Sequence, residues 1–164
     1  MDYQTYQTIA TGMQTTWSGT TDTDPTSLPI SGSSTFAGVI DLMVETGSGE
    51  LGMAGALALT ANFSANSISG TATGFMDENA NGLAGVLAIS SGAINRGANT
   101  AIQYTYSALL GGTLTGGGET YGISADFDGD FLGIDNLATT GAITGTATSG
   151  FGTGYLFGSF IAEQ

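Results

Sequence analysis

The sequence predicts an all-β fold: one antiparallel β-barrel of about eight strands over residues 32–164, with a polar N-terminal extension at 1–31. Three observations carry that expectation. One stretch is written twice. ALTANFSANSISGTATGF (58–75) returns in altered form within 122–151, as GISADF and, after a longer insert, AITGTATSGF. Each copy has an apolar run alternating with period two, a short break, and then a run of small Gly, Thr and Ala residues, which is the pattern of a hairpin. Apolar residues elsewhere also alternate, and no segment is expected to hold a sustained 3.6-residue period. Glycines sit inside the apparent strands, at Gly38, Gly55, Gly70, Gly85, Gly145 and Gly158. A small, strongly curved sheet uses such positions for bends and close packing.

Residues 1–31 are threonine-rich, with Tyr3, Tyr6, Ile9 and Trp17 as scattered anchors and Asp24, Pro25, Leu28 and Pro29 marking a turn or loop. In STFAGVIDLMV (34–44), Phe36, Gly38, Ile40, Leu42 and Val44 share one face and Ala37, Val39, Asp41 and Met43 the other, so this strand is apolar on both sides. The TGSGE turn leads into 51–63, where Leu51, Met53, Gly55, Leu57, Leu59, Ala61 and Phe63 form an inward row. Asn66 and its neighbours reverse the chain into 68–76, and DENANG (77–82) reverses it again. LAGVLAI from Leu83 echoes FAGVIDL from Phe36. Further strands are expected at 100–110, at 114 or 120 to 127, at 142–148 and at 155–162.

Charge excludes whole classes of partner. Fourteen carboxylates face one cation, Arg96, with no Lys and no His, for a net charge of −13. Nucleic-acid affinity comes mainly from Lys and Arg displacing condensed counterions, so nucleic acids and anionic membranes are not expected as partners. Ionic strength screens the self-repulsion, which suits a saline exterior: extracellular, cell-surface or virion-surface. There are no cysteines, hence no disulfide and no thiolate site. No apolar stretch reaches the roughly 18 residues of a membrane helix, and the start has neither a basic nor an apolar leader region, so membrane insertion is not expected.

The usual catalytic bases and nucleophile partners are missing with His, Lys and Cys, and no enzyme is expected. Paired carboxylates would suffice for a glycosidase, and Asp126, Asp128 and Asp130 in DFDGD are the first candidates, but alternation of Asp126, Phe127 and Asp128 sends the acids to one outer face opposite the phenylalanine. Calcium is the sharper possibility. Oxygen ligands at i, i+2 and i+4 occur twice, at Asp77, Asn79 and Asn81 and at Asp126, Asp128 and Asp130. The first set opens like a D-x-N-x-N-G loop, yet its twelfth position is Ala88 where a bidentate Glu is wanted, and DENANG is also ordinary turn composition. Tyr104, Tyr106 and Tyr121 with Trp17 could line a pocket at a barrel mouth, although at strand spacing core or girdle positions are the simpler reading. Arg96, in INRGAN, reads as a solvated loop tip or an intersubunit ion pair rather than a ligand clamp.

The closing segment GYLFGSFIAEQ, after a Gly-Thr-Gly turn, and the hairpin ANFSANSISGTATGF together resemble the C-terminal barrel of the transferrin-binding protein B-like surface proteins over 34–163. The resemblance implies an eight-stranded antiparallel barrel on an exterior surface that binds a host protein or a haem-type ligand. The chain departs from that family in lacking a lipidated Cys near its start and in having almost no basic residues, and no binding residue carries over. The functional expectation is a non-enzymatic exterior interaction module that binds a protein partner or ligand. The alternative is a structural subunit of an assembly of identical copies, such as a virion decoration, tail, fibre or surface layer.

Overall fold

The computed structural model describes residues 1–97 and 99–164; Ala98 of the INRGAN turn lies outside the described residues. Eight antiparallel strands close into a barrel in simple up-and-down order: β1 (Ser33–Thr46), β2 (Gly49–Asn62), β3 (Ser67–Asp77), β4 (Gly82–Ile94), β5 (Thr105–Gly116), β6 (Glu119–Leu132), β7 (Ala138–Ser149) and β8 (Gly152–Glu163). β8 pairs back onto β1, from Ala37 opposite Glu163 to Val44 opposite Leu156, so no strand edge is left open.

The repeated motif forms the hairpins β2–β3 and β6–β7, four strands apart and therefore on opposite sides of the barrel. The insert in the second copy lengthens β6 to Leu132 and begins β7 at Ala138, with a short 3₁₀ turn at Ile134–Asn136 between them. Two boundaries differ from expectation. Thr100–Ile102 is a 3₁₀ turn and β5 begins at Thr105. Leu114 lies inside β5, and the TGGGE turn, not Leu114, starts the next strand at Glu119.

The inward rows fill the barrel. Phe127 and Phe160 stack at 4.0 Å, Tyr106 and Phe131 lie 5.1 Å apart, and Phe36 and Phe63 each reach Phe131 within 6 Å, at 5.9 and 5.8 Å. These rings need space that two glycines provide. A Cβ on Gly129 would lie 2.4 Å from Tyr106 Cζ and 2.8 Å from Phe160 Cζ, and one on Gly141 would lie 2.6 Å from Phe160 Cε1. Met53, Leu57, Leu59, Ala61 and Phe63 of the row expected in 51–63 are buried, with Leu51 half-buried beside them.

The main departure from expectation is a helix, α1 (Tyr3–Trp17). Asp2 caps it, its Oδ1 accepting the Thr5 N–H at 2.8 Å. Tyr3, Tyr6, Ala10, Met13 and Trp17 follow a helical stripe, and the first three pack with Val39, Ala54 and Met76 on the outside of β1–β3. Threonine disguised this segment. Thr8, Thr15 and Thr16 satisfy their hydroxyls on the carbonyls of Gln4, Thr11 and Gly12, one turn back, and so occupy helix positions at tolerable cost. The helix also explains why β1 is apolar on both faces: Val39 packs on α1 while Ile40 and Leu42 fill the interior.

From the helix the chain runs along one barrel mouth. The Trp17 indole N–H donates to Glu163 Oε2 at 3.0 Å, the Thr23 N–H donates to Phe131 O at 2.8 Å, and Leu28 is buried with the core residues. Arg96 fastens this plug. Its guanidinium donates to the Pro29 and Leu28 carbonyls and, through Nε, to Asn66 Oδ1 at 3.2 Å. The expectation of a solvated tip or intersubunit ion pair is therefore corrected: Arg96 is an internal clamp on neutral oxygens.

Candidate docking face

Alternation decides which side chains leave the barrel. On β8, Leu156 and Phe160 point inward, so Tyr155 and Phe157 point outward, 76% and 50% exposed. On β5 the same parity buries Ala108 and Leu110 and leaves Leu109 51% exposed. On β6 it sends Asp126, Asp128 and Asp130 to the outer surface while Phe127 and Phe131 are fully buried.

The register then sets these side chains side by side. One rung runs Met43 (β1), Phe157 (β8), Thr144 (β7), Asp126 (β6), Leu109 (β5), Ser90 (β4), each opposite the next. A parallel rung carries Tyr155, Thr146, Ser124, Gly111 and Ala88. A third carries Ala142, Asp128, Ser107 and Ala93, and beyond Ala142 it continues through Ser159 to Asp41 beneath α1. Directly opposite residues on one face have Cβ positions about 5 Å apart, so neighbours along a rung lie within side-chain reach of one another. α1 covers the outside of β1–β3 and the 159–163 end of β8, so the uncovered part of the outer sheet is a belt over β4–β7 and the 155–157 part of β8.

The belt is concave where side chains are small. Gly111, flanked by Leu109, Ser124, Asp126 and Thr144, floors a trough of about 430 Å³. A second trough of about 500 Å³ adjoins it, lined by Thr105, Ser107, Asp128, Asp130, Thr140 and Ala142. On the wall of this trough the Asp130 carboxyl has its pKa raised from its ordinary value, first by burial and then by the Asp22 and Asp128 charges. Close to it, Tyr104 has its phenol raised by a hydrogen bond with Asp22 and by the charge of that carboxylate.

The two sets of expected calcium ligands end up in different surroundings. Asp77, Asn79 and Asn81 do converge at the β3–β4 turn. There Asp77 is buried, its Oδ1 accepting the backbone N–H groups of Asn79 at 2.9 Å and Asn81 at 2.8 Å, and its Oδ2 accepting Asn81 Nδ2 at 2.9 Å. Those bonds are what closes a tight turn in which Ala80 has φ of 64°. Asp126, Asp128 and Asp130 stand in line along one strand, roughly 7 Å between successive Cα atoms, and do not wrap a common point. Among the described residues, no group of three or more His, Cys, Asp or Glu side chains is arranged to hold a metal ion.

The aromatic candidates separate as well. Tyr106 lies opposite Gly129 in the core, Tyr121 lies opposite Leu114 toward the other mouth, and Tyr104 stands in the loop before β5, so the three tyrosines form no common pocket. What sequence reading missed is the belt. Its signal was parity within 155–162, where Leu156 and Phe160 inside force Tyr155 and Phe157 outside, but its extent needed the register. Chemically the belt can stack, accept hydrogen bonds and attract cations. No protein-family model matches the chain, and a comparison with curated proteins finds no relative.

Proposed function

We propose that the chain is a non-enzymatic exterior interaction module that binds a protein partner with its outer surface. The observation that carries this reading is the filled axis: with Phe36, Phe63, Tyr106, Phe127, Phe131 and Phe160 packed across the barrel, recognition falls to the outside. The outer sheet offers the ingredients of a protein interface, with exposed aromatic and aliphatic anchors at Tyr155, Phe157 and Leu109 among hydroxyls and carboxylates.

The chain has no His, Lys or Cys to serve as a base or activated nucleophile, in keeping with a binding role rather than catalysis. Apolar side chains inside and carboxylates outside are the reverse of a lipid-facing barrel, and the acidic surface disfavours nucleic acid. The resemblance of the closing strand and the repeated hairpin to barrel domains of surface-displayed binding proteins points the same way.

Light scattering coupled to size exclusion, from about 20 to about 500 mM NaCl with and without calcium, tests the reading, because screening removes the self-repulsion that a charge of −13 imposes. A monomer at every salt concentration is the expected result. Ordered oligomers that grow with salt or calcium would overturn it in favour of a structural subunit of a larger assembly.

A further inference from the structure

Resting on that reading, we propose that the belt over β4–β7 and the 155–157 part of β8 is the docking face and that its occupant is a basic segment of a partner protein, one in which arginine or lysine alternates with apolar residues. The chemistry of the belt selects that occupant over the others. Phe157 and Leu109 flank the Thr144–Asp126 pair in one rung, so an apolar anchor stands on either side of a carboxylate. Strands lie about 4.8 Å apart, so Phe157 and Leu109 are separated by roughly 14 Å, the reach of four or five residues of an extended chain. The Gly111 trough between them takes an apolar side chain, and Asp126 on its wall meets a guanidinium or ammonium group. The Tyr155 ring, one rung away, presents a face on which a cation can rest.

A second copy of this chain cannot supply the missing charge. Its only cation, Arg96, is spent on the Leu28 and Pro29 carbonyls at the plugged mouth, and every other charged side chain in the sequence is a carboxylate. Two belts facing each other would set the Asp126–Asp130 rows against one another. Complementarity therefore has to come from a basic partner, and attraction over a Debye length of about 10 Å would also speed its approach.

The test uses the full chain and a synthetic eight-residue peptide alternating arginine and leucine, with a glutamate–leucine peptide as its opposite. Affinity is read by calorimetry and the footprint by amide chemical shifts. The expected result is that the basic peptide binds and the acidic one does not, with shifts concentrated on β5–β8. Phe157→Ser should weaken binding about tenfold and Asp126→Asn about threefold at low salt, the range of a well-packed anchor and of an exposed ion pair respectively. Asp135→Asn makes the same charge change in the exposed loop between β6 and β7 and should weaken binding less than twofold. All three positions are on the surface, and unchanged melting curves would show the variants folded. Equal losses from Asp126→Asn and Asp135→Asn would mean diffuse attraction and overturn the proposal. So would no loss from Phe157→Ser, or a footprint on α1. A footprint elsewhere on a chain that stays monomeric removes the belt and leaves the interaction module standing; self-association through Phe157 removes both.

Discussion

The Tyr106 phenol and the Thr139 hydroxyl lie 2.6 Å apart inside the barrel wall, and Thr139 Oγ1 is also 2.8 Å from the Asp130 carbonyl oxygen. A carbonyl cannot donate, so the Thr139 hydrogen goes to Asp130 and the Tyr106 hydrogen goes to Thr139. This two-step chain lets a tyrosine lie fully inside an aromatic cluster with its polar end satisfied, and burial holds the phenol pKa far above its ordinary value.

Tyr106→Phe is expected to cost about 1 kcal/mol, the net worth of one hydrogen bond between neutral groups. Thr139→Val should cost more, about 1–3 kcal/mol, because it leaves the phenol buried without an acceptor. In the double variant the orphaned phenol is gone, so the total should fall clearly below the sum of the two single costs. Urea unfolding of the four proteins closes the cycle, and strict additivity would contradict the chain of bonds.

Two glycines should respond in opposite directions. Gly129→Ala would place a methyl group 2.4 Å from Tyr106 Cζ in a core with no slack, and a loss of about 3 kcal/mol is expected. Gly12 lies in α1 with nothing within 4 Å of where its Cβ would sit. Gly12→Ala should therefore gain up to about 1 kcal/mol from helix propensity alone. Thermal midpoints measured side by side decide both.

Arg96 holds the plug by charge-assisted bonds to carbonyls that otherwise stay at the barrel mouth. Arg96→Met should cost about 1.5–3 kcal/mol. Arg96→Lys should recover little of it, since a single ammonium cannot span Asn66 and the Leu28–Pro29 carbonyls together. Hydrogen exchange gives the location: protection should fall at the amides of Thr23 and Ser27 well before those of β1–β8. An unchanged Thr23 amide would show that Leu28 alone seats the segment.

Much of this architecture was legible in the sequence, for physical reasons that single out where it was not. Period-two alternation fixed the faces of 36–44 and 51–63, because a packed interior tolerates no slip of register. The repeat gave two hairpins their place. The helix was illegible for two reasons. Its threonines carry little helix propensity, and its apolar stripe is thin, since α1 only covers Val39, Ala54 and Met76 and fills no core of its own. Arg96 could not be placed, because its partners, Asn66 and the Leu28–Pro29 carbonyls, are about 30 or more residues away in sequence. The candidate face was half legible: the DFDGD row was apparent, but its neighbours Phe157 and Leu109 come from other strands and meet Asp126 only through the closed ladder.

Asp41 gives the barrel a pH dependence whose sign can be stated. It sits on the outer face of β1 beneath α1, and burial raises its carboxyl pKa above the ordinary 3.8, partly offset by hydrogen bonds from Gln7 and the Leu42 amide. Above pH 3.8, and up to the raised folded value, the folded chain keeps a proton that the unfolded chain has released. Stability from this group is therefore greatest in acid and is lost as pH rises through the folded value. Asp130 acts in the same direction, raised first by burial and then by its acidic neighbours. Asp2, Asp24 and Glu119, lowered by hydrogen bonds, oppose it, but all three lie at the surface where solvent screens them. The thermal midpoint should thus rise as pH falls from roughly 7 toward roughly 4.5, helped by relief of the overall repulsion. Asp41→Asn keeps an acceptor for Gln7 and removes the buried charge, so it should raise the midpoint at neutral pH and flatten the profile. A midpoint that drops on acidification through this window, together with an Asp41→Asn variant no more stable than the parent, would show that α1 does not desolvate this carboxylate.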